Sequence, residues 1–324
     1  MLACLRYVRQ LFDDYASNFE NSLSNLAYRA PQLLVDALLL TRAGAVGAAN
    51  IESARDRGDS EGAWGAVLDL GCGTGLVGPL LTKSGSGSGP GGTVCVLAGI
   101  DLSGGMLLGA ESKGIYDYLV KGDIAVFLRL LKRFSDRYLA LDSVDTRNEE
   151  NEENEEHKEN EKIEEWSRPQ RRKTAGSIIK DLDVYEQGLD MSFDRISSAL
   201  QGEHPSLAVA ADVFVYIGNL TEVIDATLNI LSVGDYFAFT VESSDSDSGS
   251  KLEVTDIKDA VSTRDWELKS SGRYAHSRRY LEKLFSYNTG WELDTLLQIV
   301  PRVELGKDIN GYLVIARKRK EGTI

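Results

Sequence analysis

Residues Val67–Leu76, Val-Leu-Asp-Leu-Gly-Cys-Gly-Thr-Gly-Leu, constrain the fold more than any other stretch of this chain. A short apolar run carries Asp69 near its end, and glycines follow at alternate positions, Gly71, Gly73 and Gly75. Such a run reads as a strand buried on both faces, as the strands of parallel sheets are. Glycine tolerates φ > 0 and leaves bare backbone for a ligand to lie against. The helix predicted after the loop turns its free N–H groups and positive dipole end toward the same space. A Gly-rich turn without any ligand fits the same residues, so the loop alone leaves both readings open.

The order of the remaining elements supports a nucleotide-binding architecture. Apolar runs predict strands at Ala66–Leu70, Val94–Ile100, Tyr118–Val120, Leu207–Ile217 and Tyr236–Glu242. Helices are predicted after the glycine loop, from near Ser103, over Leu220–Leu231 and over Ser277–Phe285. Strands alternating with helices imply a parallel sheet with right-handed crossovers. Trp291–Ile299 and Gly311–Arg317 are predicted as a closing antiparallel hairpin, separated by a turn that contains Pro and Gly. Upstream, Phe12, Tyr15 and Phe19 fall on one face of a helix, and Pro31 opens a second, leucine-rich one. The expected fold class is α/β, a doubly wound, mostly parallel Rossmann-like sheet with an N-terminal helical cover.

Two kinds of tract interrupt this pattern. Gly44–Gly62 and Ser84–Gly92 are linker-like, rich in Gly with Ala or Ser. Between Asn148 and Glu165 there are ten Glu against two Lys, a local net of −8 within a chain total of −14. Basic residues follow at Arg168, Arg171, Arg172 and Lys173. Such composition buries too little apolar area to offset ordering entropy, so about 142–175 is expected to be a disordered insertion. A loop expansion without a role explains it, and so does a tether for a protein partner. Residues 1–65 are taken as cover and linker, and 66–324 as the main domain around this insertion.

Net acidity disfavours a nucleic-acid partner, whose phosphates need clustered Lys and Arg. Cys4, Cys72 and Cys95 have neither metal nor disulfide spacing, which fits a reducing, cytoplasmic compartment. No apolar run approaches the roughly 18 residues of a membrane span.

Glycine spacing separates ligand classes. A dinucleotide fingerprint is G-x-G-x-x-G, and Leu76 stands where its last glycine would fall. The G-x-G-x-G run with Asp69 before it resembles motif I of the class I S-adenosylmethionine-dependent methyltransferases. The resemblance extends to Tyr7–Glu20, Leu26–Pro31, Ala211–Leu220 and Gly272–Leu281, which look like a subset often fused behind tetratricopeptide repeats. No such repeats precede Tyr7 here, and the acidic insertion is a further departure.

That resemblance implies S-adenosyl-L-methionine as cofactor and assigns residues to it. Asp69, Gly71, Cys72, Gly73, Thr74 and Gly75 would cradle its methionine part. Asp101, with Leu102 and Met106 beyond it, would take the ribose hydroxyls. Asp123 would hold the adenine amine, with Ile124 against the ring, and Asp212 would stand near the sulfonium. Tyr15 and Tyr28 would come from the cover, with Arg29 or a tyrosyl hydroxyl near the cofactor carboxylate. Each acid alone also fits a helix cap or a strand end. Tyr216 and His276 are the candidates for a general base on the acceptor side, with a structural role the favoured reading of His276. Family members that methylate amides or bases carry a Pro-Pro tetrapeptide after strand four. Asp212-Val213-Phe214-Val215 stands there instead, which argues against a nucleobase or a glutamine side chain as acceptor and leaves a small molecule or another protein side chain as the expected one. An NAD-dependent oxidoreductase and a non-catalytic cofactor-binding protein are the competing readings.

Overall fold

The computed structural model describes residues 2–42, 64–83, 94–133, 135, 178–179, 205–245, 264–286 and 289–320. The Gly44–Gly62 and Ser84–Gly92 tracts and the acidic insertion lie outside these. The chain opens with α1 (Leu2–Tyr15), a 3-10 turn (Ala16–Asn18), α2 (Phe19–Ser24) and α3 (Ala30–Arg42). The first half of the sheet is β1 (Trp64–Leu70), β2 (Val94–Asp101), β3 (Tyr118–Lys121) and β4 (Ile178–Ile179). Between them run α4 (Gly78–Lys83), α5 (Gly104–Ser112) and α6 (124–133). The second half comprises β5 (Pro205–Ala210), α7 (Thr221–Ile230) and β6 (Tyr236–Ser243). A small hairpin, β7 (Trp266–Leu268) and β8 (Tyr274–His276), leads into α8 (Arg278–Leu284). The chain closes with β9 (Trp291–Glu304) and β10 (Lys307–Lys318).

Strand order is β4-β3-β2-β1-β5-β6-β10-β9, with β8 also pairing the far end of β6. All pairs from β4 to β6 are parallel, and β10 runs antiparallel to both β6 and β9. This is the doubly wound sheet expected, with its terminal hairpin. Alternate residues of β1 feed two cores. Ala66, Leu68 and Leu70 pack with Phe127, Phe214, Ile224, Phe237 and Leu281 on one face. Val67 packs with Leu34, Leu38, Leu81, Leu97 and Leu107 on the other. Helices thus cover both sides, which explains why β1 is apolar on both. No helix among the described residues is long and apolar enough to cross a membrane.

Three local expectations are corrected. The apolar run Leu207–Ile217 is not one strand. β5 ends at Ala210, Asp212 takes φ 59°, and Phe214–Tyr216 form a 3-10 turn with Phe214 and Val215 fully buried. Apolarity reported burial there, not conformation. The predicted turn between the last strands is shorter than expected, only Leu305-Gly306, both at positive φ. This is a two-residue hairpin turn whose twist suits the flanking strands. Pro301 therefore lies inside β9, an edge strand, where the ladder register shifts and no outward N–H is required. The β7–β8 hairpin had no counterpart among the predicted elements.

The N-terminal segment joins neither core, since residues 5–29 are half-buried at most. Its link to the sheet is polar. Arg29 N–H donates to the Pro301 carbonyl at 2.8 Å, and Val303 N–H donates to the Leu26 carbonyl at 2.7 Å. These bonds dock the turn before α3 on the edge of β9 and leave α1 and α2 lying over the ends of the parallel strands.

Candidate functional site

β1 is the strand from which the chain winds outward in both directions, through β2 and β3 on one side and β5 and β6 on the other. In an open α/β sheet a ligand crevice forms at such a switch point, beyond the carboxyl ends of the strands. A cavity of about 930 Å³ lies here, bordered by the loops after β1, β2, β3 and β5, by α1 and α2, and by the β7–β8 hairpin.

The glycine loop divides its work. Gly71 and Gly73 border the cavity at φ 73° and 54°, conformations that a side chain rarely adopts. A Cβ on Gly71 would sit 2.6 Å from Val213, whereas one on Gly73 would meet nothing within 4 Å and would project into open space. Gly75 is different. Its Cβ would strike Tyr116 at 2.7 Å and Ala110 at 3.2 Å, so its bareness serves packing of the loop against α5. Gly75 is not among the cavity-lining residues, in contrast to its expected place in the cradle. Cys72, Thr74 and Leu76 do line the cavity.

The three acids at the carboxyl ends of the first three strands all border this space. Asp69 is buried, with Oδ2 accepting the Tyr116 hydroxyl at 2.6 Å and Oδ1 left without a partner. Burial pushes its carboxyl up to about 7. Asp101 accepts Gly73 N–H at Oδ2 (2.9 Å) and Ser103 N–H at Oδ1 (2.8 Å). Burial raises it to about 6, against those two bonds. Asp123 caps α6 by accepting Val126 N–H at 2.9 Å, with Ile124 beside it on the cavity wall. Leu102 and Met106 complete this side.

Asp212 also borders the cavity, but it is not a free anionic wall. Both of its oxygens accept Nη1 of Arg302, at 2.9 and 3.0 Å. Arg302 is only 1% exposed and donates also to Glu304 at 2.7 Å and to Glu242. Burial works to lower the guanidinium's proton affinity, and the Asp212, Glu304 and Glu242 carboxylates more than offset it. Tyr28 stands in the wall near this cluster, its hydroxyl held well above the usual range first by burial and then by Asp212.

The cover contributes a largely apolar wall. Leu5, Val8, Phe12 and Tyr15 recur at helical spacing along α1, with Phe19, Leu23 and Leu26 beyond. Phe12 packs edge-on against Tyr216 at 5.2 Å, tying the cover to the segment after β5. Tyr15 borders the cavity, while Arg29 is exposed and outside it, contrary to expectation.

The two candidate bases fare differently. Tyr216 lines the cavity beside Arg273, and burial raises its hydroxyl with Arg273 opposing, so it suits donation more than proton abstraction. His276 is corrected. It is 0% exposed in β8, outside the cavity lining, with Nε2 on the Gly218 carbonyl at 2.9 Å and Nδ1 unpartnered. Burial lowers its pKa to about 4, and its ring stacks on Tyr280. It braces the Gly218 loop from behind, together with Tyr280, whose hydroxyl accepts Leu220 N–H at 2.8 Å.

Arg302, Arg273, Trp266, Tyr116 and Asp13 were missed by sequence reasoning. An arginine within the stretch Leu296–Val303 is the one visible anomaly, yet nothing local names its distant carboxylate partners, Asp212 and Glu242.

No family model matches the chain, and no curated protein matches it. Among solved structures it is similar to the magnesium protoporphyrin IX methyltransferase of Synechocystis PCC 6803, at 11% identity over 97% of both chains, with a TM-score of 0.45. It is similar to the Burkholderia thailandensis 1,6-didemethyltoxoflavin-N1-methyltransferase at 10% identity, over 97% of this chain and 90% of that one, with a TM-score of 0.46. A Thermotoga maritima protein described as a possible histamine N-methyltransferase is 13% identical, over 96% of this chain and 99% of that one, with a TM-score of 0.43. Likeness at this level does not reach beyond the fold. The chemistry rests on the side chains of this cavity.

Proposed function

We propose that the chain is a methyltransferase that uses S-adenosyl-L-methionine and acts on a small molecule or a protein side chain. One observation carries this reading. Asp69, Asp101 and Asp123 stand at or just past the carboxyl ends of three adjacent strands and border one cavity, together with a Gly73 backbone that has open space where a Cβ would be. Such a row fits an elongated ligand with a cation at one end, a ribose in the middle and an amine-bearing base at the other. The unpartnered Oδ1 of buried Asp69 is an acceptor awaiting a donor, as a ligand ammonium would supply.

The cofactor supplies an electrophilic methyl group on a sulfonium. The chain's own residues position and shield. The Gly71–Thr74 backbone and Asp69 would hold the amino-acid end, Asp101 the ribose hydroxyls, and Asp123 with Ile124 the base. Tyr28, Tyr216 and Arg273 offer hydrogen-bond donors on the acceptor side. Leu5, Val8, Phe12, Ile217 and Trp266 supply apolar surface, which fits an acceptor with an apolar body. Enclosure by α1 and α2 would exclude water and keep donor and acceptor in line.

Calorimetry with S-adenosylmethionine, S-adenosylhomocysteine and NAD, one at a time, tests the reading. The sulfur ligands should bind, and Asp101→Ala should weaken them by about 1.5–3 kcal/mol, roughly ten- to a hundredfold. Binding of NAD alone would replace this reading with the oxidoreductase. Binding of the sulfur ligands with no methyl transfer to any acceptor would point to a cofactor-binding protein.

A further inference from the structure

The cover does more than lie over the cavity. It reaches into the hydrogen-bond set of Asp101. On α1, Asp13 Oδ1 accepts the Ser103 hydroxyl at 2.6 Å and Gly105 N–H at 3.1 Å. Ser103 is fully buried and uses every polar function it has. Its N–H goes to Asp101 Oδ1 at 2.8 Å, its hydroxyl proton goes to Asp13, and its oxygen accepts Met106 N–H at 3.1 Å to cap α5. One serine therefore bridges a carboxylate of the cover and the carboxylate assigned to the ribose.

The close approach is built into the sequence. A Cβ on Gly105 would lie 2.9 Å from the Ala16 Cβ and 3.3 Å from the Asp13 carbonyl oxygen, so only glycine admits the cover at this distance. Further along, Glu20 of α2 pairs with Lys113 just past the end of α5 at 2.5 Å. The cover is thus tied at both ends of α5 by carboxylates seven residues apart.

We propose that Asp13 is a positioning residue for the cofactor ribose, acting through Ser103 on Asp101. This rests on the methyltransferase reading above. A hydroxyl carries one proton. While Asp13 takes the proton of Ser103, the outward lone pairs of Asp101 stay available for the two ribose hydroxyls. Without Asp13, the Ser103 proton turns to the nearest carboxylate, the one already accepting the N–H of the same residue, and competes with the ligand there. Docking of the cover and reading of the ribose become one event.

Calorimetry with S-adenosylhomocysteine on the full chain tests this. Asp13→Ala should bind about tenfold more weakly, the worth of one charge-assisted bond. Asp13→Asn, whose amide oxygen accepts the same two donors, should stay within about threefold of wild type. The double variant Asp13→Ala/Asp101→Ala should bind no more weakly than Asp101→Ala alone, because Asp13 acts only through Asp101. A merely structural strut would give additive losses, and additivity overturns the proposal, as does unchanged affinity in Asp13→Ala. If Asp13→Ala does not fold, Gly105→Ala decides. It should show the same tenfold loss by pushing α1 off α5, and wild-type affinity in that variant overturns the proposal. Failure of the wild-type chain to bind S-adenosylhomocysteine is a different result, which removes the methyltransferase reading and this proposal with it.

Discussion

Arg302→Met isolates the cluster that joins β9 to the cavity. The substitution keeps an unbranched apolar stem and removes the guanidinium that holds Asp212, Glu242 and Glu304 together. The three partners lose unequally. Glu304 keeps Arg273 at 2.5 Å, and Asp212, at the cavity wall, is free to take water. Glu242 is the costly one, since its side chain is 4% exposed and its other cations, Lys269 and Arg273, are both 3.9 Å away. Removing one partner of a buried pair costs about 3–5 kcal/mol, mostly for the charge left behind. With one well-buried carboxylate stranded, the lower end, about 3 kcal/mol, is expected.

The loss should depend on pH with a definite sign. Stranded carboxylates bind protons more readily in the fold than in the unfolded chain, so acid relieves the variant. Urea unfolding followed by circular dichroism, at about pH 7 and about pH 5, should show the gap to wild type narrowing at the lower pH. Adding Glu242→Gln should restore about 1–2 kcal/mol at neutral pH. A destabilisation under about 1 kcal/mol, or an equal one at both pH values, would refute the idea that Arg302 neutralises a buried acid cluster.

Removing residues 1–24 should leave the far-ultraviolet spectrum of the sheet intact and weaken S-adenosylhomocysteine strongly, about tenfold or more, because the cover borders the cavity and joins neither core; equal affinity would make the cover mere scaffolding. His276→Gln should lower stability by about 1 kcal/mol through the Gly218 contact, and leave the pH profile of methyl transfer unmoved because the ring sits outside the cavity; a shifted profile would return His276 to the chemistry. In the ligand-free protein, burial raises Asp101 to about 6 and Asp69 to about 7 from 3.8, so both prefer the neutral form in the fold. Their contribution is complete below 3.8 and is lost as pH rises through about 6 and 7, and Asp69→Asn should flatten that part of the urea-midpoint profile.

Local patterns were sufficient for the frame. Apolar runs of strand or helix length and the alternate glycines depend on neighbours in sequence, and these marked β1, β2, β3, β6, α7 and α8 to within about two residues, and the start of α5. The acids at strand ends were legible for the same reason, since a parallel strand puts its last residues at the ligand edge whatever the rest of the chain does. Where a run is apolar all round, sequence cannot separate strand from buried turn, and β5 was drawn too long past Ala210.

Tertiary structure decided everything that depends on residues far apart. Gly75 proved to be a packing glycine because Tyr116 and Ala110 come to it from another element. Asp212 proved to be spoken for because Arg302, ninety positions away, folds beside it. His276 changed from a candidate base to a brace once its burial removed it from the cavity, and Asp13 gained a role because an α1 carboxylate lands on the cap of α5. Periodicity reports which face of an element is apolar. It carries no record of which distant charge will share that element's end, because that pairing is set by the packing of the whole sheet.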